Sequence, residues 1–441
     1  MKSWALIDML LISLITAFGL SLAVFIQTDS QITVNATLDG KPADALIKVL
    51  QEGKVKGVFY TDVNAIGQAL FALAPGEYTL IVEHGAGFVS LPKSISIKVE
   101  PNKALNVNVA LERLFEPNAW GYYSADLHTH TIASAAAIWR DFTIPNHGVT
   151  PVDQAVAVQL AADLDVMFIS DHNSVDGHEL FAQTAQKRGV PFILSEEITT
   201  IRWGHFNPYF LKKGQGVEYT PFKEPNQYFK EARERGAQII QINHPFSTGG
   251  GYFYSISNPS FDDSFDAVEI FNGDFGPDDQ RAVEKIFEFW TQGKKYIATA
   301  VSDDHDWKRL DDQYGTPRTY VFVQGELTAE KFIDSLKQQH AFVTYGPMVN
   351  FTAQGSAVPG DTVQIKSGES VALKAELKSV TPLKQAQLIK NAEVIKEFSL
   401  SGTEAVVSFT DKPDDNSWYA VRAFNEKGDQ ALTNPIWVAM K

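Results

Sequence analysis

Val166-Met167-Phe168-Ile169-Ser170-Asp171-His172-Asn173 is a short apolar run that ends abruptly in ionisable side chains. Such a run, bounded by polar residues, reads as a strand buried on both faces, the kind that parallel sheets require. The same pattern recurs on either side. Upstream, an apolar-aromatic stretch runs into Asp126-Leu127-His128-Thr129-His130-Thr131. Downstream, Phe192-Ile193-Leu194 leads to Ser195-Glu196-Glu197-Ile198, and Gly204-His205-Phe206-Asn207 follows closely. Ile239-Ile240-Gln241-Ile242 leads to Asn243-His244-Pro245, and Ile297-Ala298-Thr299-Ala300-Val301 to Ser302-Asp303-Asp304-His305. Ala267-Val268-Glu269-Ile270 is a further strand of the same type.

Helix signals lie between several of these runs. Thr150-Pro151-Val152-Asp153 offers a cap, a first-turn proline and an early carboxylate, with Ala155, Val158 and Ala162 at helical spacing behind it. From Asp278 to Trp290, Val283, Ile286, Phe287 and Trp290 form one stripe, and Gly293 is a stop. Strands alternating with helices predict an α/β unit, a parallel sheet or barrel, over 118–347. Chemistry in such units collects at the carboxyl ends of the strands, where these ionisable tips stand.

The flanks read differently. Over 31–113 the pattern is short and period-two, as in Gln31-Ile32-Thr33-Val34-Asn35-Ala36 and Tyr78-Thr79-Leu80-Ile81-Val82, with turns at Asp39-Gly40 and Pro75-Gly76. It predicts a small antiparallel β-sandwich without catalytic groups, in which His84 is a loop or core residue. Over 348–441 the alternation returns, as in Trp418-Tyr419-Ala420-Val421-Arg422, and predicts a second sandwich. Residues 1–28 hold a long apolar run behind Lys2, Met9 to Ile26. We expect a transmembrane anchor or a cleaved signal segment, with the bulk of the chain outside the cytoplasm.

Composition excludes several classes. There is no cysteine, which rules out disulfides and thiolate metal sites. Lys plus Arg number 38 against 53 Asp plus Glu, a formal charge of −15, so nucleic acid is not an expected partner. Imidazole and carboxylate donors remain, and they suit hard or borderline divalent metals. His128 and His130 are i and i+2, so in a strand they share a face; Asp303 and His305 repeat that spacing. Glu197 has two oxygens and can bridge ions, while His172, His205 and His244 supply nitrogens from other strand ends. His178 reads as a helix-surface residue, His340 as packing at a domain edge, and the carboxylates beyond Asp303 as solvated loop charge.

In their order these motifs resemble the polymerase-and-histidinol-phosphatase (PHP) superfamily of metal-dependent hydrolases. Asp126-Leu127-His128-Thr129-His130 is similar to its first motif, Ser170-Asp171-His172-Asn173 to its second, Asn243-His244-Pro245 to its third and Ser302-Asp303-Asp304-His305 to its last. Val343-Thr344-Tyr345-Gly346-Pro347 and Ala431-Leu432-Thr433-Asn434-Pro435-Ile436 are similar to the carbaryl-hydrolase-like (CehA/McbA) branch, and the first sandwich to a carboxypeptidase-regulatory-like module. The resemblance implies a distorted (β/α)7 barrel holding two or three divalent ions (Zn, Mn or Fe). By its pattern His128, His130, Glu197 and Asp303 hold the first ion; Glu197, His205 and His244 the second; His172 and His305 contribute to a third. Asp126 and Asp171 would orient imidazoles. The stretch after the first motif, Ile132 to Ala137, offers no ligand, which leaves Asp141 or His147 to complete the third site.

The chemistry expected is cleavage of a small-molecule phosphoester, with Asp171 or His172 relaying a proton and Arg202 clamping an anionic substrate. A carboxylic ester or carbamate substrate fits the same ligands. The rival from another class is an extracytoplasmic binding protein with a structural metal. Oligomeric state is not readable from the sequence.

Overall fold

The computed structural model describes residues 29–134, 148–248, 250–309 and 314–441. The anchor or signal segment expected over 1–28 lies outside these residues, as do Asp141 and His147. Among the described residues no helix is long and apolar enough to cross a membrane.

The first module is two four-stranded sheets face to face. Ser30–Leu38 sits between Gln68–Leu73 and Leu105–Leu111, and Leu46–Gln51 and Gly76–Glu83 form the middle of the other sheet. The alternation does what its period dictates: Ile32, Val34 and Ala36 point inward with Val49, Leu80 and Val82. One pairing departs from the expected antiparallel plan. Ser30–Leu38 and Leu105–Leu111 run parallel, because the chain returns to the first strand only after crossing the second sheet.

The module is fastened to the central unit by polar contacts. Arg113 makes a bidentate pair with Asp163, both bonds 2.7 Å, and His84 is buried with Nδ1 at 2.7 Å from the Asp44 carbonyl and Nε2 at 3.0 Å from Asp163. Arg188 pairs with Asp44 across the same junction.

In the central unit, backbone hydrogen bonds pass from strand to strand in a ring. Tyr122–Ala125 and its continuation lie beside Met167–Ile169, through Val166 N to Ser124 O and Ser170 N to Thr129 O. Met167–Ile169 pairs in parallel with Phe192–Leu194, whose Leu194 carbonyl accepts from Leu211. Gly204–Tyr209 then pairs antiparallel with Ile239–Ile242, followed in parallel by Ala267–Asn272 and Ile297–Val301. Asp303 N to His128 O and His130 N to Asp304 O return the ring to its start. Helices Val152–Ala161, His178–Arg188, Pro225–Glu234 and Pro277–Thr291 cover the outside, each with its apolar residues turned inward.

Two local expectations give way here. Thr150 does not cap the helix that follows it; no side-chain cap is made. Its hydroxyl instead accepts from Trp307 N at 3.2 Å and Tyr314 OH at 2.9 Å, tying the first-motif loop to the last. His178 is not on a surface: it is buried, with Nε2 at 2.8 Å from the Ser195 carbonyl.

The junction expected at 347 does not interrupt the hydrogen bonding. Ala341–Thr344 pairs on one side with Arg318–Phe322 and on the other with Gln430–Thr433, so one nine-stranded sheet runs from the central unit into the C-terminal module. Met348–Ala353, Val371–Lys378 and Glu404–Asp411 form the facing sheet. Asn434 stitches the seam. It is fully buried, accepts from Ala298 N at 2.8 Å, and donates to the carbonyls of Ala298 at 3.0 Å and Ala341 at 3.2 Å.

Candidate metal centre

The ionisable strand tips converge. His128, His130 and Asp303 place ligand atoms within 4.8 Å of one another; so do Glu197, His205 and His244, and so do His130, His172 and His305. Glu197 is the hub. Its Oε1 lies 2.9 Å from His205 Nδ1, 3.3 Å from His244 Nε2 and 3.4 Å from His128 Nε2, while Oε2 contacts His172 Nδ1. Asp303 Oδ1 lies 3.1 Å from His130 Nε2 and 3.3 Å from His128 Nε2. His172 Nε2 and His305 Nε2 face each other at 3.2 Å.

For three of the rings the far side fixes which nitrogen is bare. His128 Nδ1 is 2.8 Å from Glu269 Oε1, an acceptor, so Nδ1 carries the hydrogen. His305 Nδ1 meets the Asp303 carbonyl at 2.7 Å with the same result. His130 Nδ1 meets Ser134 Oγ at 3.1 Å, and that hydroxyl already spends its own hydrogen on Asp171 Oδ1 at 2.7 Å, so it accepts from the ring. In their neutral forms three imidazoles thus turn bare Nε2 lone pairs toward one centre, beside two carboxylates. His128 and His130 Nε2 are only 3.0 Å apart. Facing lone pairs repel, so a donor set of this kind fits divalent cations.

Electrostatics point the same way. Burial opposes ionisation of Glu197, but His172, His205 and His128 outweigh it and hold the carboxyl well below its usual range. Burial likewise opposes charge on Asp303, and His128 and His130 overcome it. Burial disfavours the His128 cation, yet Asp303, Glu197 and Glu269 raise its pKa well above the ordinary value. The carboxylates demand positive charge at the centre. His130 is pushed the other way by burial and by His305 and His172, so it stays neutral and available as a ligand.

Local backbone serves the site. His244 has φ 26° and Asp303 φ 56°, left-handed values that non-glycine residues adopt at a cost and that re-aim a side chain just past a strand end. His244 N is held by Glu269 Oε2 at 2.6 Å. Gly250 lies close beside His244 and His205; a Cβ there would stand 3.3 Å from His244 Cε1 and 3.5 Å from His205 Cε1.

Not every expected residue joins the cluster. Arg202 is absent from it: its side chain is 56% exposed, paired with Glu224 at 3.1 Å and laid over the Trp203 ring. Asp171 is buried beneath the site, accepting from Thr131 N, Thr131 Oγ1 and Ser134 Oγ, and touches His130 only through Ser134. Asp126 holds no ring nitrogen; it accepts from Ser302 N, Ser302 Oγ and Gly315 N and so ties the last-motif loop to the first. Glu196 points away toward Val217 N, and burial pushes its carboxyl up to about 8. Asp304, expected in solvent, is fully buried.

Besides Ser134, three contributors were not foreseen. Glu269 organises His128, the His244 backbone, Gln241 and Asn272 at once. Asn243 Nδ2 donates to Glu197 Oε1 at 3.0 Å, and Asn272 Nδ2 to Asp303 Oδ2 at 3.3 Å. The available signal was a lone carboxylate inside the otherwise apolar run Ala267-Val268-Glu269-Ile270, since a buried charge requires a partner.

A cavity of about 820 Å³ opens onto the cluster. His172, Glu197, His205, His244, Asp303 and His305 line its floor.

No family model matches the chain, and no curated protein matches it. Among solved structures it is similar to a two-domain protein from Bacteroides vulgatus described as containing a predicted PHP-like metal-dependent phosphoesterase: 16% identity, 72% of this chain and 95% of that one covered, TM-score 0.43. A candidate metal-dependent phosphoesterase from Bifidobacterium adolescentis is similar at 12% identity, covering 48% of this chain and 94% of that one, with a TM-score of 0.34. An amidohydrolase from Chromobacterium violaceum, solved with sulfate and no metal, has 13% identity over 41% of this chain and 87% of that one, with a TM-score of 0.27. At these scores the likenesses concern parts of the fold alone, and the function rests on the side chains of this chain.

Proposed function

We propose that the chain is a metal-dependent hydrolase of the PHP type, acting on a small-molecule phosphoester. The observation that carries the proposal is the set of pinned imidazoles: His128, His130 and His305 each commit Nδ1 to an acceptor and aim Nε2 at the carboxylates of Glu197 and Asp303 or at a neighbouring ring in the same cluster. His128, His130, Glu197 and Asp303 would hold one ion, Glu197, His205 and His244 a second, and His130, His172 and His305 are grouped for a third. Bound divalent cations supply Lewis acidity and lower the pKa of water. We read the ring of strands as the distorted (β/α)7 barrel that presents these ligands, and segment 1–28 as the means of placing the enzyme outside the cytoplasm.

The chain's own part is to position and to shield. Glu269 and Ser134 fix the ring tautomers, and Asn243 and Asn272 hold the carboxylates at the angle at which they face the rings. In the reaction, water oxygen bonds to phosphorus and gives up a proton to solvent, the bond from phosphorus to the leaving oxygen breaks, and that oxygen takes a proton from solvent in the open cavity. Asp171 is sealed beneath the cluster and does not serve as the relay. Both ring nitrogens of His172 face the cluster or its neighbours, which favours a ligand over a proton carrier.

A second reading, carboxylic-ester or carbamate cleavage, draws support from one observation: among the described residues no Lys or Arg lines the cavity. The binding-protein reading calls for a saturated, purely structural ligand shell, whereas these donors line an open cavity. The test is metal analysis of the purified chain followed by p-nitrophenyl phosphates, carboxylates and carbamates in Mn, Zn or Fe. Bound metal with phosphoester turnover is expected. Bound metal without cleavage of any member would return the chain to the binding class.

A further inference from the structure

Part of the cavity lining differs in chemistry from the metal ligands. Ile201, Tyr219, Pro245, Phe246, Pro277 and Ala282 form it. Ile201 does so while 72% exposed, at the turn that follows strand Ile198–Thr200. Phe246 is held in place: the Arg281 guanidinium lies 4.3 Å from its centroid, and Phe253 and Tyr254 pack at 5.5 and 6.2 Å. Arg281 is itself paired with Asp278 at 3.6 Å and bonded to Tyr254 OH at 3.1 Å, so its charge is answered locally. The apolar surface continues past the rim through Tyr254, 57% exposed, and Phe275, 39% exposed. A large apolar lip left in water beside a reactive centre is the signature of a surface that a ligand covers.

Apart from the metal ligands, the charged side chains of the described lining are all carboxylates. Asp274, Asp278 and Asp279 line the cavity; Asp278 is paired with Arg281, and Asp279 accepts from Asn272 N at 2.9 Å and Gly276 N at 2.7 Å. A second anionic group on a substrate would therefore meet carboxylates and hydrocarbon, and no side-chain cation among the described residues of the lining.

We infer that the enzyme selects esters with a single reacting head and an uncharged apolar body, aryl or alkyl, with Ile201, Tyr219 and Phe246 as the wall that receives the body. Esters carrying a further negative charge, nucleotides and sugar bisphosphates among them, are disfavoured. This rests on the hydrolase reading above and adds the substrate class.

The test keeps the leaving group constant, so that the chemistry does not vary while the body does. One series is methyl, phenyl and 4-carboxyphenyl p-nitrophenyl phosphate; the other is p-nitrophenyl acetate, hexanoate and hemiglutarate. In whichever series is turned over, kcat/KM for the phenyl or hexanoyl member exceeds that for the methyl or acetyl member by about tenfold or more, the scale of a few buried methylenes. The carboxylated member falls below its uncharged counterpart. Ile201→Ser, a change at an exposed turn, shrinks the apolar-to-small ratio by about threefold or more while metal content per chain stays the same. Phe246→Ala shrinks it further. A flat profile, a preference for the carboxylated member, or an unchanged ratio in both variants overturns the inference while leaving the hydrolase standing. No cleavage in either series, nor of p-nitrophenyl phosphate or the carbamates, with metal bound, defeats the hydrolase reading and this inference with it.

Discussion

Replacing Glu269 by glutamine tests whether the pinned rings matter. The carboxylate is completely surrounded by donors. Oε1 accepts from His128 Nδ1 at 2.8 Å and Gln241 Nε2 at 2.6 Å; Oε2 accepts from His244 N at 2.6 Å and Asn272 Nδ2 at 3.0 Å. An amide keeps the shape and turns one acceptor into a donor. Gln241 and Asn272 are not free to flip their amides, because Gln241 Oε1 accepts from Thr299 Oγ1 at 2.6 Å and Asn272 Nδ2 also donates to Asp303 Oδ2 at 3.3 Å. Of the other two groups, the His244 N–H cannot become an acceptor, and His128 Nδ1 can do so only by a tautomer change. If the new NH2 faces His244, a backbone N–H loses its acceptor at a left-handed position. If it faces His128, the ring must surrender its Nδ1 hydrogen and take one on Nε2, which closes the lone pair aimed at the metal. Either way one charge-assisted hydrogen bond is lost, about 1.5–3 kcal/mol. Expressed through metal affinity, that is roughly 10- to 100-fold, the range typical of residues that orient a ligand. The assay is competitive metal titration of Glu269→Gln and wild type, with melting curves recorded with and without metal. A folded variant that binds metal as tightly as wild type would refute the tautomer argument.

Other expectations follow from the same geometry. His130 belongs to two of the three ligand groups, so His130→Ala lowers metal per chain and turnover together while the two sandwiches keep their circular dichroism; unchanged stoichiometry counts against the assignment. Asp163→Asn leaves Arg113 without its bidentate partner and costs on the order of 3 kcal/mol in urea unfolding at neutral pH. Burial opposes charge on Asp163, but His84 and Arg113 outweigh it and depress its pKa, so the contribution is complete above the ordinary carboxylate range and is lost as pH falls through the folded-state value. The gap between wild type and variant therefore narrows in acid, and a gap independent of pH would show that the ion pair is not the cause. A chain ending at Pro347 strips strand Ala341–Thr344 of its Gln430–Thr433 neighbour and removes Asn434 from Ala298 and Ala341; we expect insoluble protein, and a soluble cooperative fold would contradict the seam.

The donors of the centre were legible because their signal is local. An imidazole or carboxylate at the first polar position after a buried run, recurring at strand after strand, has little reason to stand there except as a ligand. Glu269 sits within such a run, where periodicity reads only a strand, and its partners are remote in sequence, His128 being 141 residues away. Arg202 failed for the opposite reason, since lying between Glu197 and His205 in the chain says nothing about a hairpin turn that points its side chain outward. Thr150 had the residue type of a cap and the wrong company, with Trp307 and Tyr314 claiming its hydroxyl. His178 and Asp304 look solvated beside polar neighbours, yet both are buried in the fold. The seam at 347 was hidden because alternating strands read alike on both sides of it, and only long-range pairing decides which sheet they join.

The left-handed backbone at His244 and Asp303 bears on any attempt to harden this protein by screening for heat resistance. Those are positions where glycine or asparagine relieves torsional cost, so a library sorted on melting temperature in chelator would enrich the very replacements that delete a donor. Sorting in the presence of the metal would reverse the choice, and the two selections would diverge first at these two codons.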